Sequence, residues 1–418
     1  MPAKRVLILC DPFAPPLYSP RIMSLCGNIG RYGWEAVIVT ERLPYVDYST
    51  SVCRMVQVPY IKSHGWLSRV EWVAKKVADI LFGSKERWFV RQVEKCVKVS
   101  SFDLIFCSTC MTFPLGAAGR LSRRYGLPLV ADLRDIIEQY GTTGYMAHSL
   151  PRMLGLGEAI AHLYERINIR SRDKVLHCAD ALISVSPWHR DFLKRVNQNT
   201  WLIYNGYDEE LFVPRDVVSE RFEIVYTGRI TDIGFRNPTM LLEALHSLIE
   251  DEAIDPSELR IGWYIEEKMY DEIARMSSTY GLGGCTDING FISRDGVPDL
   301  LRRASVVLLL AGETKENGPR GIMTTKFFEA LGVEKPILCV RNDGGCLAAV
   351  IRETNAGMAA TCVDDVRRFI LEKYEEWKRA GFTRQHVVPE AKAKFTRQYQ
   401  ARQFVEVFDG CMAQKVVK

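Results

Sequence analysis

Short apolar runs alternate with amphipathic stretches along almost the whole chain. Arg5–Cys10 is continuously apolar after its first residue, as a strand buried on both faces requires. A Pro-rich loop over 11–20 follows, then a predicted helix over 21–32 and a strand over 35–40. This βαβ opening implies a right-handed crossover. Further strands are predicted at 102–107, 127–131, 181–185 and 200–204, with a helix over 115–125. The second half repeats the grammar. It has strands at 222–226, 259–264, 287–291, 305–310 and 337–340, and helices over 238–250 and 267–280. Two consecutive α/β halves predict two doubly wound domains. The turn signal Asn205-Gly-Tyr-Asp208 marks their join, which divides the chain into 1–205, 206–395 and a closing helix from about 396.

At 418 residues the chain exceeds what one core sustains, which agrees with two domains. A net charge of +4 is too small to argue for nucleic acid. Twelve cysteines are scattered, several inside apolar runs, and they read as small buried hydrophobes in a reducing compartment. Cys107-Ser-Thr-Cys110 is the one C-x-x-C spacing, and no cysteine or histidine cluster has trusted metal-ligand spacing, so no metal is assigned. The N-terminus runs straight into a strand without a secretory pattern, and no apolar run reaches membrane-spanning length. The expectation is a soluble cytoplasmic protein, able to dock on a membrane.

Candidate chemistry lies where predicted strands end. Lys326-Phe-Phe-Glu329 places a cation and a carboxylate on one helix face, behind a predicted helix start at Thr324-Thr325 that favours an anion. That helix is expected to stop at Gly332. Tyr226-Thr-Gly228-Arg229 ends a strand with a glycine that permits close approach and a guanidinium that can fork onto phosphate. Asp132-Leu-Arg134-Asp135 follows the 127–131 strand, and Asp135 is a candidate for action on a hydroxyl; an internal Asp–Arg pair is the competing reading. Residues 61–100 interleave nine basic residues, four acidic ones and several aromatics, which suits either an anionic bilayer or two ordinary amphipathic helices.

In their order and spacing these pieces resemble the family 4 retaining glycosyltransferases of the GT-B fold. The pieces are Ser19-Pro-Arg21, Tyr32–Thr40, Phe102–Ile105, Ala131–Asp135, Cys178–Ser186, Ile203–Asp208, Tyr226–Arg229, Arg303–Leu309 and Lys326–Leu331. The resemblance implies two Rossmann-like domains facing a central cleft, with a C-terminal helix returning to the first. It implies that Arg229 and Lys326 bind the donor diphosphate and stabilise its leaving charge; Asp135, read from its place after the 127–131 strand, is the third catalytic candidate. Glu329 would hold the ribose, Thr324 and Thr325 would supply backbone amides, Gly228 would admit the phosphates, and Ile292 would lie near the base. Arg21, Asp132 and Arg134 would face the acceptor. No cofactor or metal is required, since two cations offset the diphosphate. The partners implied are a nucleotide sugar and a glycan or lipid-linked acceptor, as in bacterial surface-polysaccharide synthesis, with peripheral contact to an anionic membrane and no nucleic acid. One departure stands out: Gly321 occupies the position of the family's first glutamate. A degenerate nucleotide- or partner-binding protein and a sugar-nucleotide epimerase are the alternatives.

Overall fold

Buried apolar strands in two separate sheets organise the chain in a computed structural model, which describes residues 3–12, 20–43, 50–63, 65–140, 156–230, 233–234, 236–312, 321–341 and 344–417. It divides into two units. The first is 1–204 with 397–418, and the second is 205–396.

The first unit runs β1 (Lys4–Cys10), α1 (Pro20–Ile29), β2 (Trp34–Arg42), β3 (Arg54–Pro59), α2 (Trp66–Phe82), α3 (Ser84–Cys96), β4 (Leu104–Thr109) and α4 (Leu115–Tyr125). It continues through β5 (Leu129–Leu133), α5 (Leu156–His177), β6 (Ala181–Ser184), α6 (Pro187–Leu193) and β7 (Thr200–Leu202). The strands form a seven-stranded sheet in the order β3-β2-β1-β4-β5-β6-β7, with every pairing parallel. The direction of winding reverses between β1 and β4, so the ligand crevice of an open α/β sheet lies outside their carboxyl ends. β3, which the sequence pattern did not indicate, is an edge strand with only one buried residue.

The second unit runs β8 (Phe222–Thr227), α7 (Thr239–Glu250), β9 (Leu259–Tyr264), α8 (Tyr270–Thr279), β10 (Thr286–Asn289), α9 (Val297–Arg303), β11 (Val306–Leu310) and α10 (Thr325–Val333). It ends with β12 (Ile337–Val340), α11 (Cys346–Thr354), β13 (Gly357–Ala359), α12 (Val363–Ala380) and α13 (Pro389–Ala393). Its six-stranded parallel sheet has the order β10-β9-β8-β11-β12-β13, with the reversal between β8 and β11.

The last helix, α14 (Arg397–Val417), packs on the first unit beside α1. Phe404 meets Phe106 of β4 edge-on and Phe408 meets it at a steep tilt, with ring centroids 5.4 and 5.3 Å apart. Phe408 also meets Trp34 at 5.5 Å. Aromatic burial of this size ties a distant segment to the first sheet.

Gly332 does not stop its helix. α10 continues to Val333 and ends on Glu334, which takes the left-handed conformation at φ 57°. Gly332 serves packing instead, since an added Cβ would lie 2.7 Å from Tyr207 and 2.8 Å from Phe212. No helix among the described residues is long and apolar enough to cross a membrane.

Candidate nucleotide site

The second unit gathers its chemistry at the β8/β11 reversal. β8 is fully buried and delivers Gly228 at its carboxyl end. Gly228 takes φ 121°, a conformation that side chains resist. A Cβ there would overlap Cε and Nζ of Lys326, so the glycine makes room for the lysine side chain. The two motifs, distant in sequence, thus form one constellation.

The loop after β8 is clamped from within. The Tyr226 hydroxyl donates to the Arg229 carbonyl at 3.1 Å, and Arg236 Nη1 donates to the same carbonyl at 2.5 Å. Glu266, just after β9, accepts the Ile230 amide at 2.9 Å. The Arg229 side chain is exposed, beyond this clamp. Lys326 is the second residue of α10, after Thr325, and the Thr324 side chain does not cap the helix. The positive end of the helix dipole therefore remains available to an anion.

Burial pushes the Lys326 ammonium down to about pKa 8; Arg236 and Arg229 add to the effect, and Glu329 and Glu266 oppose it. A cation held at such a cost is poised to gain from an incoming anion. Beside it is a recess of about 510 Å³, mouth included, lined by Tyr226, Arg236, Leu310, Ala311, Gly312, Ile322, Thr324, Lys326 and Leu347. Glu329 lies one helical turn beyond Lys326. Ile292 follows edge strand β10 at the same end of the sheet, half-buried, while its neighbour Phe291 is exposed. Gly321 is buried and left-handed, with φ 68°.

The first unit places its candidates differently. Arg21 and Asp132 are buried and face each other, with Nε to Oδ2 at 3.1 Å and Nη2 to Oδ1 at 2.8 Å. Arg21 also donates to the Tyr204 carbonyl at 2.9 Å and lies 4.7 Å over the Phe404 ring, while Ser108 donates to Asp132 at 2.7 Å. This closed network corrects the expectation that Arg21 and Asp132 face an acceptor: they brace the interior. Arg134 pairs with Asp11, which also accepts the Cys110 amide at 3.1 Å across the β1/β4 reversal. Asp135 accepts from Gln139 at 3.0 Å, and burial raises its carboxyl pKa against Gln139 and Arg134. Burial likewise pushes the Cys110 thiol up to about 12 and the Cys107 thiol well above its usual range, which makes both poor thiolates.

Asp11, Glu266 and Arg236's clamping role were not singled out from sequence. The available signal was position alone: Asp11 and Glu266 come directly after buried parallel strands. Among the described residues no group of His, Cys, Asp and Glu gathers to hold a metal.

Residues 18–201 match the model of the glycosyl transferase 4-like domain. No curated protein matches the chain in sequence. Among solved structures, Anabaena Alr3699/HepE in complex with UDP is similar over 97% of this chain and 100% of its own, with a TM-score of 0.64 and 14% identity. Sucrose-phosphate synthase from Thermosynechococcus elongatus covers 98% and 100%, at 0.59 and 15%. WaaG, a glycosyltransferase involved in lipopolysaccharide biosynthesis, covers 95% of each chain, at 0.54 and 12%. Such identities speak for fold. The chain thus has the GT-B fold of these solved glycosyltransferases, and its residues 18–201 match the glycosyl transferase 4-like domain.

Proposed function

We propose that this protein is a glycosyltransferase that takes a hexosyl group from a nucleoside diphosphate and places it on a hydroxyl of a glycan or lipid-linked acceptor, with retention of configuration. The observation that carries the reading is the seating of Lys326 on Gly228, beside the uncapped start of α10 and the recess. Lys326 and Arg229 offset the charge that develops on the departing diphosphate, which is commonly the largest catalytic contribution. Amides of Thr324 and Thr325 add to that field, Glu329 receives the ribose hydroxyls, and Ile292 borders the base. Within the first unit, Asp135 is the candidate for proton transfer at an acceptor hydroxyl, since burial raises its carboxyl pKa, with Arg134 as its charged neighbour. Two cations suffice for the diphosphate without a divalent metal. The HepE structures hold UDP, with glucose, or UDP-glucose, which makes uridine the first base to try. The reading extends to cytoplasmic work at an anionic membrane surface in surface-polysaccharide synthesis.

The test is incubation with a panel of nucleotide sugars and hydroxyl acceptors, following release of nucleoside diphosphate and the anomeric configuration of the product. Turnover with one donor supports the reading; a folded protein inert with every donor sinks it.

Gly321 favours a second reading, a nucleotide-binding protein that has lost transfer. A buried left-handed residue with φ 68° does not accept a glutamate without strain, so the sugar-contacting carboxylate of the family has no easy place there.

A further inference from the structure

The helix α2 is 17 residues long, yet no described residue of it is fully buried. Trp66, Leu67, Val70, Trp72, Val73 and Val77 are each at least 50% exposed, and Phe82 at its end is 68% exposed. Helices in water owe most of their stability to burial of an apolar face, so this one calls for a partner. Its neighbour α3 has no such need, because Phe89, Val90 and Val93 are buried.

Charge says what the partner is. The acidic groups of this region are engaged inside the unit. Glu71 accepts the amides of Lys62 and Ser63 at 3.0 and 2.8 Å and pairs with Lys75 at 2.5 Å. Asp79 accepts the Lys85 amide at 2.9 Å, Glu86 accepts the Ala117 amide at 2.7 Å, and Glu94 pairs with Arg124. Arg69, Lys76, Arg87 and Arg91 are exposed. Apolar and aromatic side chains with outward cations complement the headgroup layer of an anionic bilayer. Trp72 and Lys76 also line a groove of about 1910 Å³, mouth included, together with Arg120, Tyr164 and Ile167. That groove has the mixed polar and apolar lining an amphiphile requires.

We propose that α2 is a membrane-docking helix that seats its apolar face in the surface of an anionic bilayer, so that the groove beside it meets a lipid-linked acceptor at headgroup level. The inference rests on the glycosyltransferase reading and narrows its acceptor to a lipid-anchored one. It also assigns the outward charge to Arg69, Lys76, Arg87 and Arg91 rather than Lys75, which is held by Glu71 and the Tyr60 carbonyl.

The test is sedimentation of the full chain with vesicles of phosphatidylcholine and phosphatidylglycerol, and with phosphatidylcholine alone. The expected result is binding to the anionic vesicles, weakened by about tenfold or more in Val70→Asp/Val73→Asp. Both positions are exposed, so nucleoside diphosphate binding by the double variant is expected to match wild type. A second variant, Lys76→Glu/Arg87→Glu, should weaken binding to the anionic vesicles only. Wild type that ignores anionic vesicles overturns the proposal, as does a Val70/Val73 variant that binds them equally well. A concentration-dependent dimer abolished by the same variant would also overturn it, by assigning the face to a second copy. Diphosphate binding on the same samples reports separately on the donor site, so vesicle failure with intact nucleotide binding removes the docking helix alone.

Discussion

Replacing Lys326 with alanine removes the cation seated on Gly228 while leaving the other residues of the recess in place. Its size of effect follows from the site. An ordinary lysine has a pKa near 10.4, and the fall to about 8 corresponds to roughly 3 kcal/mol against the ammonium in its buried setting. A diphosphate oxygen about 4 Å away would return about 4 kcal/mol at the effective dielectric of a partly buried site. Allowing for desolvation of the phosphate, a net loss of about 2–4 kcal/mol is expected on removal, or roughly 30- to 1000-fold in Kd. The uncharged nucleoside touches no such cation, so its weaker binding should change by less than about threefold. Titration calorimetry of Lys326→Ala and wild type with a nucleoside diphosphate and its parent nucleoside at pH 7 reads the difference. Equal loss for both ligands, or no loss for the diphosphate, would refute the placement of Lys326 at the phosphates.

The same lysine sets a pH dependence. It is charged below about pH 8 and loses its proton above, so diphosphate affinity should fall as pH rises through 8, by up to tenfold per unit, and the slope should vanish in Lys326→Ala. For folding the sign is opposite: between pH 8 and about 10.4 the unfolded chain binds the proton more than the folded one, so this group's contribution to stability rises with pH there. Gly228→Ala should destabilise by about 1–3 kcal/mol through its φ of 121° and displace Lys326, lowering both the melting temperature and diphosphate affinity; an unchanged titration curve would contradict the seat. Gly332→Ala should cost about 1–3 kcal/mol in urea unfolding by crowding Tyr207 and Phe212, although alanine is the better helix former; a stabilised variant would contradict the packing role. Asp135→Asn should slow transfer by roughly a hundredfold or more with donor binding intact, and unaltered transfer would remove it from catalysis.

The doubly wound architecture was legible because buried parallel strands leave an unbroken apolar signature. β1 from Val6 on, β11 and β12 are such runs, and α4 occupies the 115–125 stretch that the pattern predicts. Edge strands carry less signal: β3 is only partly buried and β13 has three residues, none of them buried. Gly332 shows the limit of local rules, since a glycine that reads as a stop is needed for contact with Tyr207 and Phe212, which are remote in sequence. The same limit applies to the site. Local spacing pairs Lys326 with Glu329, but only the fold seats Lys326 on Gly228 and brings Glu266 into its field. It likewise hid that Arg21 and Asp132 meet inside the first unit, because partners 111 residues apart leave no periodic trace. In the 61–100 stretch, composition left two readings open. Burial separates them helix by helix: α3 buries its apolar side and α2 exposes it.

The most direct test of the central claim is thermal unfolding against millimolar UDP, GDP, ADP, CMP and dTDP. A nucleotide at 100 times its Kd adds about 2.7 kcal/mol of stability. A clear upward shift is expected with one nucleoside diphosphate, lost in Lys326→Ala. A folded wild type whose melting temperature responds to none of them would contradict a nucleoside diphosphate site at the β8/β11 reversal.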